Sequence, residues 1–411
     1  MNIAIATPEF VSEKIFDGGL ANYTYKLAKW LISQGHTITV YLAVEENQNV
    51  EELQFENIKV IKISNKDYAW LTGYYLQRLK LGFLYSDKLK YKIKFWQRSF
   101  AVNKKIKEDN KIKKIDIIHY PHLGGFAYHK PKKTPSIVRI SSSTDLCRKM
   151  GGYGSSDLQI DIQVKFELDA MKKADRVFGP SKMIAAMTEP QINKSISIIE
   201  TPYIKPLGEM DNSIFETTLK GKKYILFFGS ISLIKGVGTI AKMIKPLLEK
   251  HKDLYFVFVG KQISNMINGV NLWEHLLSNA GEEKNRIIYI PSQQHQTLFP
   301  IIQNAELITL PSLTDNFPNT CIESMANKKI VIGTKGNGFD QLIEDGKNGF
   351  IVEVDDHSAL LKTIDNVLKL DSNTKKEIEN KAGQRIEKLH PDIVLNQLVD
   401  LYKEIINEYK N

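Results

Sequence analysis

Short apolar runs alternate along the chain with stretches whose apolar residues recur at helical spacing. Asn2–Thr7 (NIAIAT) is an almost unbroken apolar run, the pattern of a strand buried on both faces. After Asp17-Gly18-Gly19, the residues Leu20, Leu27, Ala28 and Leu31 predict a helix. Gly35-His36 stops it, because glycine readily takes the left-handed conformation that ends helices. Thr37–Ala43 is the next strand. The same order returns halfway along: strand Tyr224–Ser230, glycine loop Lys235-Gly236-Val237-Gly238, helix face Ile240, Ala241, Ile244, Leu247 and Leu248, then strand Leu254–Gly260. Two such openings predict two α/β domains of similar design.

Further strands are predicted at 116–120, 135–141 and 174–181, with a helix over 160–174. In the second half, RIIYI, AELITLPS and KKIVIGT read as strands separated by helical stretches. The polar segment Tyr203–Lys223, with Pro206, Gly208 and Gly221, reads as the linker between the halves. A closing amphipathic helix over Asp392–Tyr409 carries Val394, Leu395, Leu398, Leu401 and Ile405 on one side.

Composition narrows the class. The chain has 411 residues, 42% hydrophobic and 25% charged, which suits two globular domains and excludes wholesale disorder. Two cysteines, Cys147 and Cys321, are too few for a disulfide framework or a cysteine-based zinc site and fit a reducing cytoplasm. The N-terminal pattern lacks a basic region and a long apolar run, so no signal peptide is expected. No uncharged apolar stretch approaches the ~20 residues of a spanning helix. Charge changes the picture more: 56 Lys and Arg against 47 Asp and Glu leave a formal +9. Between Arg78 and Lys114 there are 13 basic and 3 acidic residues, with Tyr85, Tyr91, Phe95, Trp96 and Phe100 interleaved. Tyr68, Trp70, Tyr74 and Tyr75 lie just upstream. Residues 68–114 therefore read either as an interfacial helix on an anionic bilayer or as a solvated helical face whose aromatic residues belong to the core. No helix-turn-helix, RRM or KH pattern accompanies the charge, so nucleic acid is not the expected partner.

The chemistry-bearing patterns begin with absences. Asp-x-Asp, the P-loop, HExxH and Cys-x-x-Cys do not occur, so no metal site is expected. Gly236-Val-Gly238-Thr-Ile-Ala241 matches a dinucleotide pattern, but its strand ends several residues too early and the next strand runs into Gly260-Lys261 instead of an acid. The most informative stretch is PSLTDNFPNTCIESMANKKIVIGT, Pro311 to Thr334. A strand end, a turn with Asp315, Asn316, Phe317 and Pro318, and a short helix beginning near Thr320 place Glu323 in the first turns of that helix. Parallel sheets bind ligands at the carboxyl ends of their strands, where a helix N-terminus offers N–H groups to phosphate and a carboxylate accepts from hydroxyls. Glu323 complementing the helix dipole and Asp315 serving as a turn residue is the alternative.

This stretch resembles the nucleotide-sugar motif of the retaining glycosyltransferases of family 4, in which Pro-Ser precedes an acid followed by Gly-Phe-Pro, with a second acid eight positions after the first. The resemblance continues in GGLANYTYKLAKWLISQGHTITV, in FFGSISLIKG and in GFDQLIEDGKNGFIV. It implies a GT-B fold: two Rossmann-like, doubly wound domains facing a central cleft. An N-terminal acceptor domain over 1–205, completed by the C-terminal helix 392–411, would precede a nucleotide-sugar domain over 206–391. It implies that Gly18 and Gly19 bring backbone N–H groups near the diphosphate or acceptor, and that Ser230 and Lys235 lie in the phosphate loop with Lys235 neutralising the departing diphosphate. Asp315, with Asn316, Phe317, Pro318 and Asn319, would contact the transferred sugar. Glu323 would bind the ribose hydroxyls, and Gly336 and Gly338 lie in the loop beside it. A histidine past the strand IDII reaches the reacting centre in the family, and His119 and His122 both qualify. Three positions depart from the family pattern: Asp315 for Glu, Ser230 for the loop Arg, and Thr201-Pro202-Tyr203 for an Asn-Gly turn. The expected protein is a cytoplasmic retaining glycosyltransferase, peripheral on the inner face of the membrane. It would use no metal or cofactor beyond a UDP- or GDP-linked donor, and act on a glycan or lipid-linked acceptor in bacterial surface polysaccharide synthesis. A soluble acceptor, or a catalytically silent glycan- or partner-binding protein, is the competing expectation.

Overall fold

A computed structural model describes residues 1–12, 19–44, 51–64, 78, 86–149, 157–206, 208–263, 266–267 and 269–409. The chain divides into two compact units. Unit 1 comprises Met1–Asp145, Gly154–Thr201 and Pro391–Asn411, and unit 2 comprises Leu146–Tyr153 and Pro202–His390.

Among the described residues, unit 1 is built on an eight-stranded sheet of β1 (Asn2–Thr7), β2 (Thr37–Val44), β3 (Glu51–Phe55), β4 (Ile58–Ser64), β5 (Ile117–Pro121), β6 (Ser136–Arg139), β7 (Arg176–Gly179) and β8 (Ile196–Ile198). The strand order is β3-β4-β2-β1-β5-β6-β7-β8, parallel except for the β3–β4 hairpin. Ala4 and Ala6 of β1 pack into one apolar cluster with Ile118, Tyr120 and Val138. Ile3, Ile5 and Ile117, which alternate with them, are buried as well. Burial on both faces is the reason the strands read as unbroken apolar runs. The helices of this unit are α1 (Gly19–Ser33), α2 (Asp87–Ile112), α4 (Asp157–Lys173) and α5 (Lys182–Ile192), to which the C-terminal helix Pro391–Glu408 is added, while α3 (Thr144–Lys149) starts in unit 1 and is assigned to unit 2 from Leu146 on. That last helix buries Val394, Leu395, Leu398, Leu401, Tyr402 and Ile405, and its Asp392 accepts from the Trp30 indole at 2.8 Å.

Unit 2 carries an all-parallel sheet of β9 (Lys223–Phe228), β10 (Leu254–Val259), β13 (Ile287–Ile290), β14 (Leu307–Thr309), β15 (Val331–Thr334) and β16 (Phe350–Val352), in the order β13-β10-β9-β14-β15-β16. A short antiparallel pair, β11 (Met266–Ile267) and β12 (Val270–Asn271), stands apart. Helices α6 (Val237–Lys250), α7 (Leu272–Ala280), α8 (His295–Gln303), α9 (Asn319–Ala326), α10 (Phe339–Leu342), α11 (His357–Leu368) and α12 (Ser372–Glu387) complete it. The Pro391–Glu408 helix of unit 1 is α13.

In each sheet the strand order reverses beside the opening strand, between β1 and β5 and between β9 and β14. At such a point two successive connections leave toward opposite faces, and the crevice outside the strand ends accepts ligands.

The predicted linker is a correction. Tyr203–Lys223 is packed into unit 2 instead of spanning two domains freely. The Tyr203 N–H donates to Leu389 O at 2.9 Å and the Asp211 N–H to Gln296 O at 3.1 Å. Phe215–Leu219 forms a wide helical turn, Leu219 is fully buried, and Lys223 already belongs to β9. Polar composition hid the two anchors that matter, Leu219 and the backbone.

Candidate functional site

In unit 2, close backbone approaches tie the β9 loop to the end of β10 and to the β14 loop. Gly229 ends β9 with φ +123, and an added Cβ on Gly260 would lie 1.9 Å from Gly229 O. Gly236 has φ +75, and its added Cβ would lie 1.8 Å from Pro311 O. Only glycine fits there, by conformation and by space. The Leu313 N–H then donates to Ile234 O at 2.9 Å, joining the two loops. The result is local: Lys235 Nζ forms an ion pair with Asp315 Oδ2. Asp315 holds its own loop, since its carbonyl accepts from Gly338 N–H at 2.8 Å, and an added Cβ on Gly338 would meet Asn316 O at 2.0 Å.

α9 begins at Asn319 because Pro318 takes the position before it, where a fixed φ and a missing N–H cost nothing. Asn316, Phe317 and Pro318 are buried, Asn319 is exposed, and Thr320 lies beside Gly229. The open N–H groups of α9 therefore stand at the end of β9. Four residues into α9, the Glu323 carboxylate sits 3.1 Å from His295 Nε2, at the start of α8. Tyr203 lies close enough that burial, then the Glu323 charge, push its phenol up to about 12. Ser230 is exposed. Gly336, with φ +77 and open space around it, donates its N–H to Asp340 at 2.7 Å. Lys235, Asp315, Asn316–Asn319, Glu323 and Gly338 thus share one end of one sheet. His295 is an addition that sequence reading missed, with nothing in its local sequence to mark it, and it is joined by Tyr203, met in the sequence only as part of a turn that departs from the family pattern.

In unit 1, Gly19 is the first residue of α1, whereas Gly18 lies outside the described residues. The two candidate histidines differ sharply. His119 lies within β5, and its Nδ1 is 2.6 Å from the Tyr402 hydroxyl of α13. Burial, then the Arg139 charge, push it down to about 3. His122 stands just past the end of β5. Its Nδ1 accepts from Ser141 N–H at 3.1 Å, so the ring proton belongs on Nε2, which is buried and has no partner among the described residues. Burial, then the Arg139 charge, push His122 down to about 4, so it is neutral at pH 7. Glu167 of α4 fixes the adjoining loop, accepting from Gly124 N–H at 3.0 Å, Gln163 at 2.8 Å and Thr144 at 2.9 Å.

In the basic segment, Tyr68, Trp70, Tyr74, Tyr75 and Tyr85 lie outside the described residues. On α2, Lys92, Trp96, Phe100, Lys104, Lys107 and Lys111 form an exposed stripe at helical spacing. Trp96 and Phe100 stack 5.1 Å apart with His129 edge-on, whereas Phe95 stacks inward on Phe166. Among the described residues no helix is long and apolar enough to cross a membrane.

Comparison with known proteins accords with this geometry. The family model described as glycosyl transferases group 1 matches residues 209–385, and that described as glycosyltransferase family 4 matches residues 17–202. An uncharacterized glycosyltransferase of Methanocaldococcus jannaschii is 22% identical over 98% of both chains. Another, from Bacillus subtilis, is 21% identical over 58% of this chain and 63% of its own length. A Campylobacter jejuni N-acetylgalactosaminyltransferase, named for an undecaprenol-diphosphate-linked substrate, is 25% identical over 51% of this chain and 54% of its own. Among solved structures, sucrose-phosphate synthase of Thermosynechococcus elongatus superposes with a TM-score of 0.75 at 15% identity, covering 99% of this chain and 100% of that one. Anabaena HepE in complex with UDP gives 0.70 at 14% identity, covering 98% and 100%. The chain belongs to the family 4, group 1 glycosyltransferases and carries their GT-B fold.

Proposed function

We propose that the protein moves a sugar, with retention at the anomeric carbon and without a metal, from a UDP- or GDP-linked donor held by unit 2 to a glycan acceptor held by unit 1. The acceptor is a lipid-linked intermediate of bacterial surface polysaccharide synthesis. The carrying observation is the convergence of Lys235, Asp315 and the α9 N-terminus at the β9–β14 switch point. A donor diphosphate takes over Lys235 and the open N–H groups of α9, which stabilise the charge that develops as the diphosphate departs. Asp315, released from Lys235, accepts hydrogen bonds from hydroxyls of the transferred sugar. Glu323 accepts from the ribose hydroxyls, with His295 orienting its carboxylate. Of the two histidines, the reading selects His122, whose Nε2–H is uncommitted and donates to a sugar hydroxyl at the reacting centre. His119 holds α13 instead. The acceptor hydroxyl attacks from the face the diphosphate leaves, and the diphosphate takes its proton.

The α2 stripe supports placement on the cytoplasmic face of an anionic membrane, since aromatic rings seat in the headgroup layer while lysines meet lipid phosphates. The name of the Campylobacter relative supports a lipid-linked acceptor.

Melting temperature and donor hydrolysis, followed with UDP-, GDP- and ADP-sugars with and without EDTA, test the reading. Stabilisation by one donor, unchanged by EDTA and lost in Glu323→Ala, is the expected result. No response to any nucleotide overturns it and leaves a catalytically silent binding protein. Flotation with anionic liposomes at low salt tests the membrane arm, and protein remaining at the bottom removes it.

A further inference from the structure

A buried cation in unit 1 bears on the chemical class of the acceptor. Arg139 closes β6 and is only 6% exposed. Its guanidinium lies 3.6 Å over the Tyr23 ring. Nη1 donates to Ser141 Oγ at 2.7 Å and Nη2 to Thr201 Oγ1 at 3.1 Å, both neutral partners. Among the described residues no carboxylate pairs with it. Burying a charge without a counter-ion is costly, and folded proteins ordinarily pair such groups. Asp175 obeys that rule, receiving Lys130 at 2.9 Å together with the Ser136 N–H and hydroxyl. Glu167 has three neutral donors and no cation, but a carboxyl can take up a proton, and burial pushes Glu167 toward that form. A guanidinium keeps its charge, which makes Arg139 the exception.

Its neighbour is a second exception. His122 donates its backbone N–H to Arg139 O at 2.8 Å, so the two residues are locked side by side at the ends of β5 and β6. The buried Nε2 of His122 has a proton and, among the described residues, no acceptor. An uncompensated cation and an orphaned donor therefore adjoin at the carboxyl end of the sheet, next to its switch point.

We propose that Arg139, with the Thr201 hydroxyl, binds an oxyanion carried by the sugar acceptor, a phosphate monoester or a carboxylate, and leaves the adjoining Nε2–H of His122 to the sugar hydroxyl. The fork of the guanidinium matches two oxygens of such a group. Stacking on Tyr23 and the bonds to Ser141 and Thr201 fix its plane before the ligand arrives. The proposal rests on the reading of unit 1 as the acceptor unit and deepens it.

Calorimetric titration of the full chain with glucose 6-phosphate, glucuronate, inorganic phosphate and glucose tests it, with UDP titrated into the same samples. The expected result is at least tenfold tighter binding of one anionic sugar than of glucose, with inorganic phosphate competing if the phosphate ester is preferred. Arg139→Gln should abolish that preference while leaving UDP binding unchanged. Thr201→Val, which keeps the charge and removes one ligand of the guanidinium, should weaken the anion severalfold and covers the case in which Arg139→Gln does not fold. Equal affinity for all four probes, or anion affinity in both variants equal to that of the unaltered chain, overturns the proposal. Anion binding without any UDP response sinks the transfer reading and leaves the site standing. UDP binding without anion preference does the reverse.

Discussion

Lys235 and Arg139 stand at the carboxyl ends of their sheets, one in each unit, and the two are treated in opposite ways. Lys235 in unit 2 is a third exposed and already faces an acid, Asp315. Arg139 in unit 1 is buried and, among the described residues, its guanidinium meets only hydroxyls and a ring. A partly hydrated ion pair gives up its partner at modest cost, because water screens both charges. A buried guanidinium has no such reservoir, so a ligand's charge is worth more to it. The lesson is that exchangeable charge suits a group that binds and releases a nucleotide each turnover. Fixed charge suits recognition of one chemical feature.

The comparison breaks most readily at Lys235. Lys235→Ala should lower donor turnover by about 10²–10³-fold, the scale of losing one electrostatic contact to a developing charge. Steady-state hydrolysis of the preferred donor checks this, and a change under tenfold refutes the assigned role. The loop that carries Lys235 is next. In Gly236→Ala the new Cβ would lie 1.8 Å from a backbone carbonyl at a left-handed φ, which should cost at least about 2 kcal/mol in denaturant unfolding. Glu323→Gln should weaken UDP about tenfold, as expected for one charge-assisted hydrogen bond. Calorimetry reads it, and unaltered affinity removes Glu323 from the ribose.

The buried side of the comparison carries its own pH signature. His119 and His122 are pushed down to about 3 and about 4 in the folded chain. The unfolded chain therefore binds more protons between those values and about 6.5, so stability is fully present above 6.5 and is lost as pH falls toward 4. Urea midpoints at pH 7 and pH 5 should differ more for the unaltered chain than for His119→Phe. Smallest of all, Tyr402→Phe deletes the hydroxyl on His119 and should cost about 1 kcal/mol with donor binding unchanged. A large loss of UDP affinity there would show that α13 does more than hold unit 1 together.

The β9 loop and the Pro311–Glu323 motif were legible because their chemistry is local in sequence: glycines where the backbone turns, a proline before a helix, acids eight positions apart. The elements were legible for a similar reason, since strands buried on both faces leave continuous apolar runs and α13 shows one apolar side. His295 escaped because it meets Glu323 across 28 positions and sits in an ordinary helix start. The 203–223 segment misled because its anchors are one leucine and backbone groups, which composition does not report.

By itself the chain determined its two α/β units, the succession of their elements and the residue types of the loop after β9, because periodicity and turn chemistry act over a few neighbouring positions. Only the tertiary structure decided which histidine keeps a free donor and that Arg139 lacks a counter-ion among the described residues. Those facts depend on Tyr402, Ser141 and Thr201, which the fold brings from distant positions, and burial alone turns such a meeting into energy.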